Sequence, residues 1–196
     1  MKKRNDDLDS ILSSYKYAKF KSKPKKIEKV SEPIVFSIEH QSRISKDRYY
    51  LEIAKAVSLR STCLRRKYGA IIVKNDLIVA TGYNGAPRGK VNCCDIGKCV
   101  RIEQNIPHGE RYELCRSVHA EQNAIISAGF EKTNGATLYL SGVDGLSETP
   151  IDAPDCCMMC KRVIINAGIY KVIFLNGDGS IRETLVSSWI HEEDET

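Results

Sequence analysis

Two short segments limit what this chain can fold into: His119-Ala120-Glu121 and Cys157-Met158-Met159-Cys160. Each precedes a stretch with helical spacing of apolar residues, so each lies at the start of a helix, and an apolar strand comes earlier in the chain before each of them. Cys157 and Cys160, three residues apart, share one helix face. The polar groups of both segments therefore belong to helix starts that follow strands, as expected of helices packed on a sheet.

The remaining apolar patterns extend this arrangement to the order α-β-β-α-β-α-β-β. That order predicts an α/β fold, a three-layer α/β/α sandwich with a mixed sheet of about five strands. The predicted elements are a helix from an Asp47 N-cap to Leu59, a hairpin of strands 69–73 and 77–81, a long loop over 82–118, a helix over 120–130, a strand over 136–141, a helix over 157–167, a strand over 170–175 and an antiparallel edge strand over 181–186.

Charge divides the chain into two parts. Residues 1–46 carry 12 Lys and Arg against 6 Asp and Glu, a net +6, whereas the remaining 150 residues carry 18 against 19, a net −1. We therefore interpret 1–46 as a basic, flexible extension and 47–191 as one folded domain. Because the basic charge is confined to the extension, a nucleic-acid partner is not expected.

Cysteine usage indicates metal binding. The chain has eight cysteines, no apolar run of about 18 residues and a charged first segment unlike a secretory signal. We therefore predict a cytoplasmic protein with reduced thiols and no membrane partner.

The two segments together supply a catalytic type of metal site. His119, Cys157 and Cys160 make three zinc ligands, which leaves one coordination position for water. Glu121 lies two residues beyond the histidine and is free to move protons as general base and acid. Taken alone, a Cys-x-x-Cys pair also fits a closed structural zinc site or a redox pair.

With these residues the chain resembles the zinc-dependent cytidine and deoxycytidylate deaminases, and most closely their deoxycytidylate (dCMP) branch. The resemblance covers about residues 47–176. Its motifs are 69–73, 82–85 (Gly-Tyr-Asn-Gly), 119–124 and 157–160. It implies a cytidine deaminase-like fold, hydrolysis of a cytosine nucleotide (dCMP to dUMP and ammonia) and a homo-oligomer. Alternatives are a deaminase of another base or of tRNA, and a non-catalytic zinc protein.

The resemblance also assigns ligand contacts. It implies that Asn84 holds the substrate sugar, and Ala120 is placed beside the substrate. Gly82, Tyr83 and Gly85 would contact a deoxynucleoside triphosphate effector. An Asn amide offers both donors and an acceptor to a sugar hydroxyl. A plain Asn-Gly turn at the end of a strand is the alternative.

A second, structural zinc is predicted. In the branch that this chain resembles, such a site has ligands that match Cys63 and Cys93, and we add Cys99 and Cys115 by inference because four thiolates close a tetrahedral site. Cys94 and His108 are alternative ligands, and free buried thiols are the alternative to a metal.

Three features fall outside the shared pattern. Arg65 and Arg66 are candidates for the substrate phosphate or are solvated surface charges. Cys156 stands where the family has a proline, and Cys157 alone keeps the two-residue gap to Cys160. Residues 142–155 lengthen the connection before these cysteines, as a lid, a specificity loop or a surface insertion.

Overall fold

A five-stranded mixed sheet forms the centre of the protein in the computed structural model, which describes residues 43–192. The strand order is β2-β1-β3-β4-β5. Only β3 and β4 are parallel, and the other neighbours are antiparallel. The strands are β1 (Arg66–Lys74), β2 (Leu77–Tyr83), β3 (Thr137–Asp144), β4 (Lys171–Leu175) and β5 (Ile181–Leu185).

Helices cover both faces of this sheet. They are α1 (Lys46–Ser58), α2 (Cys93–Ile96), α3 (Val100–Glu103), α4 (Ala120–Ala128), α5 (Phe130–Thr133), α6 (Met158–Asn166) and α7 (Val186–Glu192), with a 3-10 turn at Tyr112–Leu114. Alternate residues of β1 face opposite sides: Ile71 packs with α1 residues, and Ile72 packs with residues of α4 and α6. The predicted three-layer α/β/α sandwich with a mixed five-stranded sheet is confirmed.

Two glycines let helices approach the sheet closely. A Cβ at Gly69 would lie 2.1 Å from the Ala54 carbonyl oxygen of α1, and one at Gly82 would lie 2.4 Å from the Ala120 carbonyl oxygen of α4. Gly82 pairs with Ala70, the residue after Gly69. Side chains at successive strand positions point to opposite faces. The two close helix contacts therefore lie at neighbouring positions on opposite faces of the sheet.

Several predicted boundaries hold, and others were wrong. The predicted hairpin turn is present, with Asn75 and Asp76 both at positive φ as a type I′ turn requires. The N-cap of α1 is Ser45, which accepts a hydrogen bond from the Arg48 amide at 3.2 Å, and not Asp47. Helix α4 ends at Ala128 because Gly129 has φ +74.

The loop predicted over 82–118 is partly helical, and one helix was not predicted. Helices α2 and α3 and the 3-10 turn lie within the loop. Helix α7 follows β5 and buries Val186 and Trp189 in the core beside α6. Val186, Trp189 and Ile190 have helical spacing, but the edge strand was predicted to include Val186 and no element was predicted after it.

The described residues all lie within one of two compact units of the chain, 42–196. The prediction of a flexible extension falls almost wholly outside them and stays a prediction. Between residues 43 and 192, no helix is long and apolar enough to cross a bilayer.

Candidate active site

The starts of two helices bring the predicted metal ligands together. His119 is the N-cap of α4 and Cys157 is the N-cap of α6, while Cys160 lies in the first turn of α6. His119 Nδ1 lies 3.4 Å from Cys157 Sγ and 3.2 Å from Cys160 Sγ. All three ligand atoms lie within 4.8 Å of one another, and we call them the metal triad.

The donor set and spacing of the metal triad fit zinc. At metal–sulfur distances of about 2.3 Å and metal–nitrogen distances of about 2.0 Å, tetrahedral geometry separates a nitrogen ligand from a sulfur ligand by about 3.5 Å. The observed Nδ1–Sγ distances are close to that value. One imidazole and two thiolates also balance the charge of a divalent ion.

Hydrogen bonding between the two thiols of the metal triad favours one thiolate. A hydrogen bond from the Cys160 thiol lowers the pKa of Cys157 to about 4, and the same bond raises the pKa of Cys160. The pair therefore shares one proton, which a divalent cation can displace. Two helix starts favour this charge further, since their exposed N–H groups attract anions.

Glu121 lies beside the metal triad as a buried carboxyl group. Its residue is 5% exposed, in the first turn of α4. Burial raises the pKa of Glu121, and the charge of His119 only partly opposes this effect. A carboxyl group with a raised pKa can both accept and return a proton near neutral pH.

Cys156 lies outside the metal triad. Its side chain is buried in the main core cluster with Ala120 and Ala124. Burial, followed by the nearby Glu121 carboxylate, raises the pKa of Cys156 well above its usual value. Cys156, which stands where the family has a proline, is therefore a neutral, buried thiol next to Glu121.

One pocket joins the metal triad to a group of arginines. Arg65 Nη1 is buried without a hydrogen-bond partner in the part of the chain that the structure describes, and so is Arg101 Nε. Ala120, which is fully buried, also reaches the pocket. Uncompensated guanidinium groups favour an anionic ligand. Lining residues include Arg65, Arg66, Arg101, His108, Tyr112 and Glu121.

Asn84 lines this pocket, but most of its amide bonds the protein. Its Oδ1 accepts from Ser61 Oγ at 2.7 Å and from the Tyr68 amide at 2.8 Å. Its Nδ2 donates to the Arg66 carbonyl at 2.8 Å. These bonds join the end of β2 to the start of β1. One Nδ2 hydrogen of Asn84 is left for a ligand in the pocket.

The other members of the Gly-Tyr-Asn-Gly segment are placed differently. Gly82 is buried beneath α4, where no side chain fits. Tyr83 is 36% exposed on the edge strand, and its carbonyl accepts a hydrogen bond from Asn123 Nδ2 at 2.8 Å. Gly85 is buried and pairs with Val118. Of the three predicted effector contacts, Tyr83 has the accessible side chain.

The predicted second zinc ligands form a looser group, which we call the thiol cluster: Cys63, Cys93, Cys99 and Cys115. Burial raises the pKa of Cys93, and the charges of the other three add to it. Among residues 43–192, the metal triad alone meets the 4.8 Å spacing for three ligand atoms. Cys94 is exposed and faces Asp95, and His108 lines the pocket instead.

Residues 142–151 form an anchored hairpin beside the pocket. Strand β3 runs on to Asp144, and Val143 pairs with Pro150. The Gly145 amide donates to the Arg65 carbonyl at 2.9 Å, and Lys67 Nζ lies 2.9 Å from Glu148 Oε1. The segment predicted as a lid, a specificity loop or an insertion is fixed next to the arginines.

Arg101 and Tyr112 belong to the site but were not predicted. Arg101 is 6% exposed, and its guanidinium lies 4.6 Å from the Tyr112 ring centre. Tyr112 in turn packs edge-on against His119, with ring centres 5.1 Å apart. The sequence gives no local signal for this burial, because both residues stand in a charged, irregular segment.

The fold and the metal triad define a class of protein, a three-layer α/β/α domain with a His-Cys-Cys metal site at the starts of two helices. The chain belongs to the family described as cytidine and deoxycytidylate deaminase zinc-binding region, whose model matches residues 44–176.

Curated relatives share this region. A deoxycytidylate deaminase of Schizosaccharomyces pombe is 35% identical over 133 residues, which are 67% of this chain and 37% of that protein. A deoxycytidylate deaminase of Mycobacterium phage D29 is 35% identical over 137 residues, 68% of this chain and 96% of the phage protein. The chain thus spans less than two fifths of the fission-yeast relative but nearly all of the phage one.

Among solved structures, the dCMP deaminase of cyanophage S-TIM5 in complex with dCMP and dUMP is 29% identical. The match covers 67% of this chain and 83% of that one, with a TM-score of 0.44.

Proposed function

We propose that this chain catalyses the hydrolytic deamination of a cytosine nucleotide, with dCMP converted to dUMP and ammonia. The observation that carries the proposal is the buried Glu121 carboxyl beside three zinc ligands in one pocket. Structural zinc sites use four protein ligands and need no neighbouring carboxyl group. The names of the relatives, deoxycytidylate deaminases, support the cytosine nucleotide as substrate.

The chemistry divides between the metal triad and Glu121. His119, Cys157 and Cys160 would hold a zinc ion, which would supply a water molecule acidic enough to act as nucleophile at neutral pH. Glu121 accepts a proton from the attacking water and gives it to the ring nitrogen next to the reacting carbon. Glu121 then carries a second proton to the departing amine, so one water is consumed and one ammonia is released.

A nucleotide is favoured over a nucleoside because of the arginines. Arg65 Nη1 is buried and lacks a partner among the described residues, and Arg66 lines the same pocket. We infer that Arg65 and Arg66 hold the substrate phosphate, since guanidinium groups bind phosphate oxygens in pairs. Asn84 then offers its remaining Nδ2 hydrogen to the sugar.

Zinc-loaded protein tests the reaction directly. Incubation with dCMP, deoxycytidine, dCTP, guanine and a tRNA should release ammonia fastest with dCMP. Glu121→Gln, which keeps the size but not the acid–base function, is the matched control. If a non-cytosine base or tRNA is deaminated and cytosine nucleotides are not, the substrate is wrong. If no compound reacts, a non-catalytic zinc protein is the better interpretation.

A second zinc, an effector and an assembly belong to the same proposal. The thiol cluster would hold a structural zinc that orders residues 93–115. A deoxynucleoside triphosphate effector would contact the exposed Tyr83, near the buried Gly82 and Gly85. All eight cysteines are free thiols, which suits a reducing cytoplasm. The number of zinc ions per chain tests the second site, and dissociation constants for dCTP and dTTP test the effector. The molecular mass by light scattering tests whether the protein is a homo-oligomer.

A further inference from the structure

Arg101 is a buried charge in the loop that precedes α4. Its residue is only 6% exposed, and Nε has no hydrogen-bond partner in the described part of the chain. None of the ion pairs found between residues 43 and 192 includes it. Buried arginines are costly unless their donors are used. The donors that Arg101 does use therefore indicate what it is for.

Arg101 uses one nitrogen to hold the loop. Its Nη2 donates to the Pro107 carbonyl at 2.9 Å and to the Glu110 carbonyl at 2.7 Å. The backbone near these carbonyls is tightly turned, with Gly109 at φ +91 and Arg111 at φ +48. For Arg111, a residue other than glycine, the left-handed conformation persists only where surrounding contacts enforce it. The guanidinium supplies two of these contacts.

The same guanidinium connects the loop to the metal triad. It lies 4.6 Å from the centre of the Tyr112 ring, within cation–π distance. The Tyr112 ring packs against the His119 ring at 5.1 Å with a 73° interplanar angle, an edge-on contact. Guanidinium, phenol ring and imidazole thus form a continuous row along one wall of the pocket.

We propose that Arg101 is a positioning residue: it fixes Tyr112 against His119, and thereby fixes the imidazole that binds the metal and the wall that faces the substrate ring. Groups that orient a metal-binding histidine change metal affinity or activity by about 10- to 100-fold when they are removed. A lysine cannot replace Arg101, because it lacks the planar guanidinium that stacks on the Tyr112 ring while its Nη2 donates to the two carbonyls.

Direct contact with the substrate phosphate is the competing role, since Arg101 lines the pocket. A phosphate contact would raise KM and leave metal binding unchanged. A positioning residue would speed metal loss and lower kcat, with KM changed much less. The two roles therefore predict opposite results for the same variants.

The test compares Arg101→Lys and Tyr112→Leu with two controls, Tyr112→Phe and Arg111→Lys. Tyr112→Phe keeps the ring between the guanidinium and the imidazole. Arg111 is an exposed arginine of the same loop, paired with Glu113. Each full-length variant is loaded with zinc, and metal loss to a chelator is followed. A cobalt-loaded sample of each reports the ligand geometry through its visible spectrum.

Arg101→Lys and Tyr112→Leu should lose metal roughly tenfold faster than the parent and shift the cobalt spectrum. Both controls should match the parent in the rate of metal loss and in the cobalt spectrum. Unchanged metal loss in Arg101→Lys, or a rise in the KM for dCMP alone, would overturn the proposal. Tyr112→Leu leaves Arg101 in place, so it decides the matter if Arg101→Lys fails to fold.

The kinetic part rests on the proposed deaminase function, whereas the metal-release and cobalt measurements do not. An inactive parent protein with fast metal loss in both variants would overturn the function and support the positioning role. An active parent protein with unchanged metal loss in both variants would support the function and overturn the positioning role.

Discussion

The metal triad and the thiol cluster are both rich in cysteine, yet they are built differently. The triad takes its ligands from the starts of α4 and α6, two helices that pack on the same sheet face. The thiol cluster takes its members from the end of the α1–β1 connection and from the loop with the short α2 and α3. The ligand atoms of the triad lie within 4.8 Å of one another. Among the described residues the thiols of the thiol cluster do not meet that spacing, although the other three thiols all act on the pKa of Cys93.

This difference separates two uses of a metal. A catalytic ion must sit at a fixed place relative to Glu121 and the substrate, so ligands on rigid elements suit it. A structural ion can instead order the loop that supplies its ligands, and the energy of binding then becomes folding energy. We expect the triad to control activity and the thiol cluster to control the stability of the pocket wall.

The largest effect is expected from Cys157→Ala. Removal of one of three ligands should leave the triad without zinc and the protein without measurable activity. Cys156→Ala, the adjacent buried thiol, should keep most of the zinc and most of the activity. Zinc content by atomic absorption and the rate of dCMP turnover measure both. If Cys156→Ala loses the metal and Cys157→Ala keeps it, the ligand register is wrong by one residue.

Glu121→Gln should act on chemistry but not on metal binding. The amide cannot transfer the proton, so kcat should fall by about 10²- to 10⁴-fold. Zinc content should equal that of the parent, because Glu121 is not a ligand. Steady-state kinetics and metal analysis on the same sample check this. A variant that loses zinc together with activity would place Glu121 among the ligands.

Cys93→Ala tests whether the thiol cluster holds a metal. The variant should lose one zinc per chain and about 3 kcal/mol of unfolding free energy, which corresponds to roughly 10 °C in Tm. The triad should keep its ion and part of the activity. Cys94→Ala, the exposed neighbour, is the matched control and should resemble the parent. Equal zinc content in all three proteins would contradict a second site.

Acid should release zinc by protonating its ligands. Burial alone would lower the pKa of His119, but its hydrogen bond with Cys157 and the nearby Glu121 charge raise that pKa overall. Hydrogen bonding with Cys157 raises the pKa of Cys160, and burial raises the pKa of Cys93. Protons therefore compete with the metal at both sites as the pH falls. Zinc release, followed with a chromogenic chelator from pH 8 to pH 4, should amount to two ions per chain in the parent and to one in Cys93→Ala. Release of one ion from both proteins would contradict a second site.

The sequence allowed the framework and the metal triad to be predicted, because both depend on local patterns. Strand alternation, the Asn75-Asp76 turn and the spacing of Cys157 and Cys160 each depend only on residues within a single strand, turn or helix start. Helix α7 was missed because its apolar residues directly continue those of β5. The stop of α4 at Ala128 depends on the positive φ of Gly129, which a helical pattern does not reveal.

The site residues that were not predicted from the sequence owe their positions to contacts between distant segments. A buried arginine such as Arg101 looks like any surface charge in the sequence, since its burial follows from how the loop folds back. Asn84 was expected to serve a ligand, but three of its amide contacts join β1, β2 and the α1–β1 connection. Such dual use becomes visible only when the strands are placed side by side.

The position of the triad at two helix caps has a consequence for how the chain folds. His119 and Cys157 are 38 residues apart, and the central strand β3 lies between them. A metal bound to both would close this loop and limit the freedom of the unfolded chain, as a disulfide does. Removal of zinc should therefore lower the free energy of unfolding of the segment from α4 to α6, whereas the hairpin of β1 and β2 lies outside the closed loop.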